Sequence, residues 1–136
     1  MMIVLVPLLS GKESDPVFVE SITSKATKII LLQIVDKGFM GTAGTAMGEV
    51  MHFRSVMNEV KRQIGLKKKT CEEVTEWGTT TKKILSLAIL QKVDKVVLVK
   101  QNNKFFEEVV EALEKEKVNF EIVNLPEPVK EKKKLF

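Results

Sequence analysis

His52 and Cys71 are the only histidine and the only cysteine in this 136-residue chain, and that restricts the chemistry open to it. A structural or catalytic zinc ion needs three or four well-placed nitrogen, sulfur or carboxylate ligands, and one residue of each soft type does not assemble a tetrahedral set. A Ser-His-Asp triad would want its serine on a nucleophile elbow, and no Gly-x-Ser-x-Gly stands anywhere in the sequence. His52 falls roughly opposite the Val50, Phe53, Met57 stripe of a helical pattern, which makes it a surface residue. Cys71 opens a strand-like run and reads as a small apolar side chain. A single cysteine also excludes an internal disulfide. No catalytic residue and no metal is expected.

Two other patterns could bind anions. The segment from Lys37 to Gly48 holds four of the seven glycines, and Gly41 and Gly44 precede a helix whose first amides could face a phosphate. The segment follows the second strand and has no Lys-Ser/Thr pair, so it matches neither the Walker nor the Rossmann fingerprint. It reads first as a connector, with a nucleotide-binding or nucleotide-hydrolysing protein that uses Gly41 to Gly48 as the alternative. Lysines cluster at 67–69, 82–83 and 130–134, and could meet nucleic acid. They are scattered along the chain, aromatics are only 6%, and 22 basic residues are nearly balanced by 18 acidic ones. Solvated faces are the simpler reading, and nucleic acid is not an expected partner.

The elements that must position any site follow from periodicity. Thr79 or Thr80 can cap a helix with Ile84, Leu87, Ala88 and Gln91 on one face, after which Val96-Val97-Leu98-Val99 is apolar without period. A short strand of that kind is covered on both faces, as in a parallel sheet between two helical layers. Ile3 to Leu9 and Ile29 to Val35 have the same character. Asp15-Pro16 opens a helix with Phe18, Val19, Ile22 and Ala26 buried, the proline sitting at the first helical position. Met47 to Ile64 is the longest helix, closed by Gly65 as its cap. Thr70 to Trp77 mixes charge with apolar residues, Val74 facing inward with Cys71 or Trp77, as suits an edge strand. Asn102 or Asn103 caps a last helix with Phe106, Val109, Val110 and Leu113 on one face, and Val118 to Val123 is the fifth strand.

Strand and helix thus alternate throughout, which predicts a three-layer, doubly wound α/β fold with a five-stranded parallel sheet. A charged third strand belongs at an edge, so the order is 3-2-1-4-5 rather than 2-1-3-4-5. Residues 1–125 form the domain, and 126–136 a basic tail. In this order the crevice lies beyond the carboxyl ends of strands 1 and 4, where the winding reverses. Ser10, Gly11, Lys100 and Asn102 should line it, beside Leu9 and Gln101, with Asp36 as a neighbour from strand 2. A phosphoacceptor domain of the same architecture is excluded, since it needs acidic residues where this chain has Leu8-Leu9-Ser10 and Glu76-Trp77. No apolar run approaches the roughly 20 residues that span a bilayer, and Met1 to Leu9 lacks a basic leader and a cleavage site. The expectation is a cytoplasmic protein without a membrane partner.

Ile3-Val4-Leu5-Val6-Pro7, Trp77-Gly78, the spaced Ile84 and Ala88, and Val93-Asp94-Lys95-Val96-Val97-Leu98 together resemble the universal stress protein family. The resemblance implies a binding or regulatory role and a homodimer joined along strand 5, whose Phe120, Ile122 and Leu125 are apolar enough for a second copy. Members of that family that bind ATP carry an Asp just after the strand-1 proline, where this chain has Leu9. They also carry a Gly-x2-Gly-x9-Gly-Ser/Thr loop after strand 4, where it has Lys100-Gln101-Asn102-Asn103 running into Lys104. The resemblance therefore implies the branch without bound ATP, and no cofactor is expected.

Overall fold

The computed structural model describes residues 2–36 and 43–126, with 43–47 described through their backbone only. Nine elements alternate: β1 (Ile3–Pro7), α1 (Pro16–Thr23), β2 (Lys28–Val35), α2 (Ala43–Leu66), β3 (Thr70–Trp77), α3 (Thr80–Leu90), β4 (Lys95–Val99), α4 (Lys104–Lys115) and β5 (Phe120–Val123). The strands form one parallel sheet in the order β3-β2-β1-β4-β5, as the charged third strand predicts.

The missing period in the central strands has a direct cause. Val4, Val6, Ile29 and Leu31 pack under α1 and α2 against Phe18, Ile22, Met57 and Ile64. Leu5, Ile30, Leu32 and Leu98 alternate with them and pack under α3 and α4 against Ile84, Leu87, Phe106 and Leu113. Each side chain is buried whichever face it takes, so alternation has no polar partner to show against. Burial of each such aliphatic side chain contributes about 1.5–3 kcal/mol.

Asp15 caps α1 by accepting from the Val17 amide at 2.8 Å, and Pro16 is the first helical residue. Asn103 caps α4 by accepting from the Phe106 amide at 2.8 Å. At the base of the sheet Asp94 joins β1 to β4: its amide donates to the Ile3 carbonyl at 2.7 Å, and its Oδ2 accepts from the Ile3 amide at 2.6 Å.

Four expectations are corrected. The helix expected from Met47 to Ile64 runs from Ala43 to Leu66, because glycine lowers helix propensity by only about 1 kcal/mol and Gly44, Gly48 and Gly65 all fall within it. Gly65 is therefore not the cap. That position is filled by Lys68, whose φ of 57° is left-handed, and Lys92 (φ 51°) and Lys117 (φ 59°) end α3 and α4 in the same way. The fifth strand starts at Phe120 rather than Val118. Trp77 does not face inward: it is 64% exposed, whereas Val74 and Cys71 pack on opposite sides of the sheet, as their odd separation requires.

Candidate functional site

β1 pairs with β4 at Val4–Lys95 and Leu5–Val96. Beyond that point β1 keeps company with β2, the Leu8 amide donating to the Leu32 carbonyl at 2.8 Å, while β4 continues beside β5, the Lys100 amide donating to the Val123 carbonyl at 2.9 Å. The winding of the sheet reverses between β1 and β4, whose carboxyl ends lead into different loops. A cleft of about 460 Å³ opens there, lined by Ser10, Lys12, Lys100, Gln101, Asn102 and Asn124 among others.

Three of the residues expected at the crevice, Ser10, Lys100 and Asn102, are thus brought together. Gly11 lies next to them with a left-handed φ of 82°, and a side chain there would meet His52, whose Nε2 lies 2.8 Å from where a Cβ would stand. Asp36 is elsewhere. Its carboxylate accepts from the backbone amide and the hydroxyl of Thr80, both at 2.9 Å, and it lines a separate cavity of about 30 Å³ with Leu9, Glu49 and Phe105. Gly44 lies inside α2, and Gly41 falls outside the described residues.

The charge of the cleft is basic where it is uncommitted. Lys12 and Lys100 are exposed, and among the described residues neither joins an ion pair. Asp15, on the same wall, is engaged as the α1 cap. Gln101 accepts from Asn103 Nδ2 at 3.1 Å, but its own Nε2 is buried with no acceptor. An unsatisfied buried donor costs about 1–3 kcal/mol. The turn from Lys100 to Asn103 contains no glycine, and Asn103 Oδ1 already occupies an amide at the start of α4.

Sequence reasoning missed Glu13. This carboxylate is 1% exposed and folds back under the end of β1. Its Oε2 accepts from the amides of Leu9 (3.1 Å) and Ser10 (3.0 Å) and from Ser10 Oγ (2.8 Å), and its Oε1 accepts from the Gly11 amide (3.0 Å). Burial pushes the carboxyl above its ordinary value, and the Ser10 and Leu9 donors pull it back in part. The only signal in the sequence is an acid shortly after a Ser-Gly turn.

The helical pattern predicts His52 to be a plain surface residue. It is exposed, but its ring rests on Gly11 and meets Phe53 edge-on at 5.3 Å between centroids. Cys71 is half-buried, and desolvation pushes its thiol up, away from the reactive thiolate. Among the described residues no cluster of histidine, cysteine and carboxylate side chains could hold a metal ion, and no helix is long and apolar enough to cross a membrane.

No protein-family model and no curated protein matches this sequence. Solved structures do. The hypothetical protein MJ0577 superposes with a TM-score of 0.71 at 15% identity, covering 93% of this chain and 97% of its own. The universal stress protein UspA from Lactobacillus plantarum gives 0.65 at 15% identity over 90% of this chain and 97% of its own. A universal stress protein in complex with cAMP gives 0.60 at 17% identity over 92% and 98%. At these identities the likeness is one of architecture, and over at least 90% of its length the chain has the fold of the universal stress proteins.

Proposed function

We propose that this is a universal-stress-type binding protein that takes up a small ligand with one compact anionic group in the cleft between β1 and β4, and acts through that ligand and through self-association rather than by catalysis. The observation that carries the reading is the cleft itself, at the reversal of winding, with Lys12 and Lys100, unpaired among the described residues, on its wall. A similar fold in complex with cAMP makes a mononucleotide the natural first probe. A triphosphate is disfavoured by the glycine-free turn from Lys100 to Asn103, where side chains stand in place of open backbone.

Self-association is proposed along β5. Its outer edge has no partner strand among the described residues, Ile122 is 37% exposed, and a depression of about 510 Å³ beside it is lined by Phe106, Val110 and Ile122. A second copy related by a two-fold would cover both.

Calorimetric titration with cAMP, AMP and ATP tests the ligand reading. The expected result is saturable heat with cAMP or AMP that is lost in Lys100→Glu, and no tighter binding of ATP. No heat from the mononucleotides, or ATP binding at least about tenfold tighter, a difference of roughly 1.4 kcal/mol, would overturn it.

A further inference from the structure

We infer that the loop from Leu9 to Gly11 is a backbone oxyanion-binding site that the chain fills with its own Glu13. Three successive amides and one hydroxyl converge on a single carboxylate at 2.8–3.1 Å. The loop turns so that these amides point to one side, and Gly11 at φ 82° carries the chain away from them toward Glu13. His52 leans on Gly11, its Nε2 2.8 Å from where a Cβ would stand.

The Glu13 carboxyl held in this loop is enclosed, the residue being 1% exposed, and no cation pairs with it among the described residues. Its oxygens are met by backbone amides and the Ser10 hydroxyl, the same kind of donors that a bound phosphate or carboxylate receives in an anion-binding loop. A buried ion without such compensation would cost several kcal/mol. The loop is therefore a site for a small oxyanion, carboxylate or phosphoryl, and Glu13 is its intramolecular competitor. Ser10 is shared: its Oγ donates to Glu13, accepts from the Lys12 amide at 3.0 Å, and lies on the wall of the cleft. An oxyanion entering from the cleft reaches these amides only by displacing Glu13. The inference does not depend on the mononucleotide reading, because the loop is complete without any ligand in the cleft.

Removing the competitor tests it. Glu13→Ala leaves a carboxylate-sized space against four donors, and Glu13→Gln fills the same space with a neutral amide. Thermal unfolding of wild type, E13A and E13Q in sodium acetate or inorganic phosphate, against sodium chloride at matched ionic strength, reads the site. The expected result is that acetate or phosphate, relative to chloride, raises the Tm of E13A by clearly more than that of wild type or E13Q, which keep the cleft lysines but have the loop filled. In E13A the amide resonances of Leu9, Ser10 and Gly11 should shift saturably, with an apparent affinity at least about tenfold above wild type, as release from a bound competitor predicts. If E13A is unfolded in chloride, recovery of its helical circular dichroism in acetate or phosphate supports the site, and failure to recover overturns it. If E13A folds and its Tm and amide shifts respond to acetate or phosphate no more than those of wild type, the inference is wrong.

Discussion

The Asp36 carboxylate binds Thr80 twice, accepting from its backbone amide and from its hydroxyl at 2.9 Å each. The end of β2 thereby caps α3 across 44 positions of sequence, a role that Thr79, the residue preceding the helix, does not fill with its side chain. Asp36 is read here as a residue that fixes the helix rather than one that meets a ligand. Asp36→Ala is expected to lower unfolding stability by about 1–2 kcal/mol, the usual loss of a helix cap, while leaving mononucleotide heats unchanged. A denaturant titration beside the calorimetry checks both. Lost binding with unaltered stability would return Asp36 to the ligand site.

The acid limb of stability should trace two surface carboxylates. Glu73 is held below the ordinary glutamate value by Lys61 and Arg54, and Glu121 by Lys95 and Lys25. In both the folded value lies below the unfolded one, so their stabilisation is present above the ordinary value and disappears as pH falls through the lowered one. Urea midpoints recorded from about pH 6 down to about pH 3 should fall more steeply for wild type than for Glu73→Gln or Glu121→Gln. High salt should narrow the difference, because these pairs are partly exposed.

Lys92 and Lys117 stand at left-handed positions that close α3 and α4. In each case the following amide, of Val93 or Val118, donates back to the carbonyl of Ala88 or Leu113 at 3.1 and 2.9 Å. A residue with a Cβ costs about 1–2 kcal/mol in that conformation. Lys92→Gly and Lys117→Gly should each therefore raise stability by about 1 kcal/mol, an increase visible as a shift in the urea midpoint without a change in slope.

The proposed dimer makes its own prediction. Ile122→Lys places a charge on the outer strand, where edge charge opposes strand pairing. Sedimentation at micromolar concentration should give a dimer for the natural chain and a monomer for this variant, with circular dichroism unchanged. A monomeric natural chain would dispose of the β5 interface and leave the cleft untouched.

The sheet order is legible in Glu72, Glu73 and Glu76, since three carboxylates on one strand are tolerable only at an edge. The crevice is legible too, because topology alone carries Ser10, Lys100 and Asn102 to the ends of neighbouring strands. The start of α2 is not, because Gly44 and Gly48 look like loop residues until packing of Met57, Val60 and Ile64 supplies what their propensity lacks. Glu13 is hidden for a different reason. Its burial depends on a loop that curls through a left-handed Gly11, and no periodic pattern records a side chain folding back on its own preceding amides. The pairing of His52 with Gly11 joins positions 41 apart in sequence, which a single chain read in order does not reveal.

Joined at their base by Asp94 and Ile3 and paired at Val4–Lys95 and Leu5–Val96, the two halves of the sheet meet like the covers of a book with a short spine of hydrogen bonds. That spine carries a shorter hydrogen-bonded ladder than its neighbours, so its amides should exchange with solvent before those between β2 and β3, which pair along their full length. A ligand that touches Ser10 on one cover and Lys100 on the other acts as a clasp. Its presence would be felt as slower exchange at both covers at once, and the fold would report occupancy through stiffness without any change of shape.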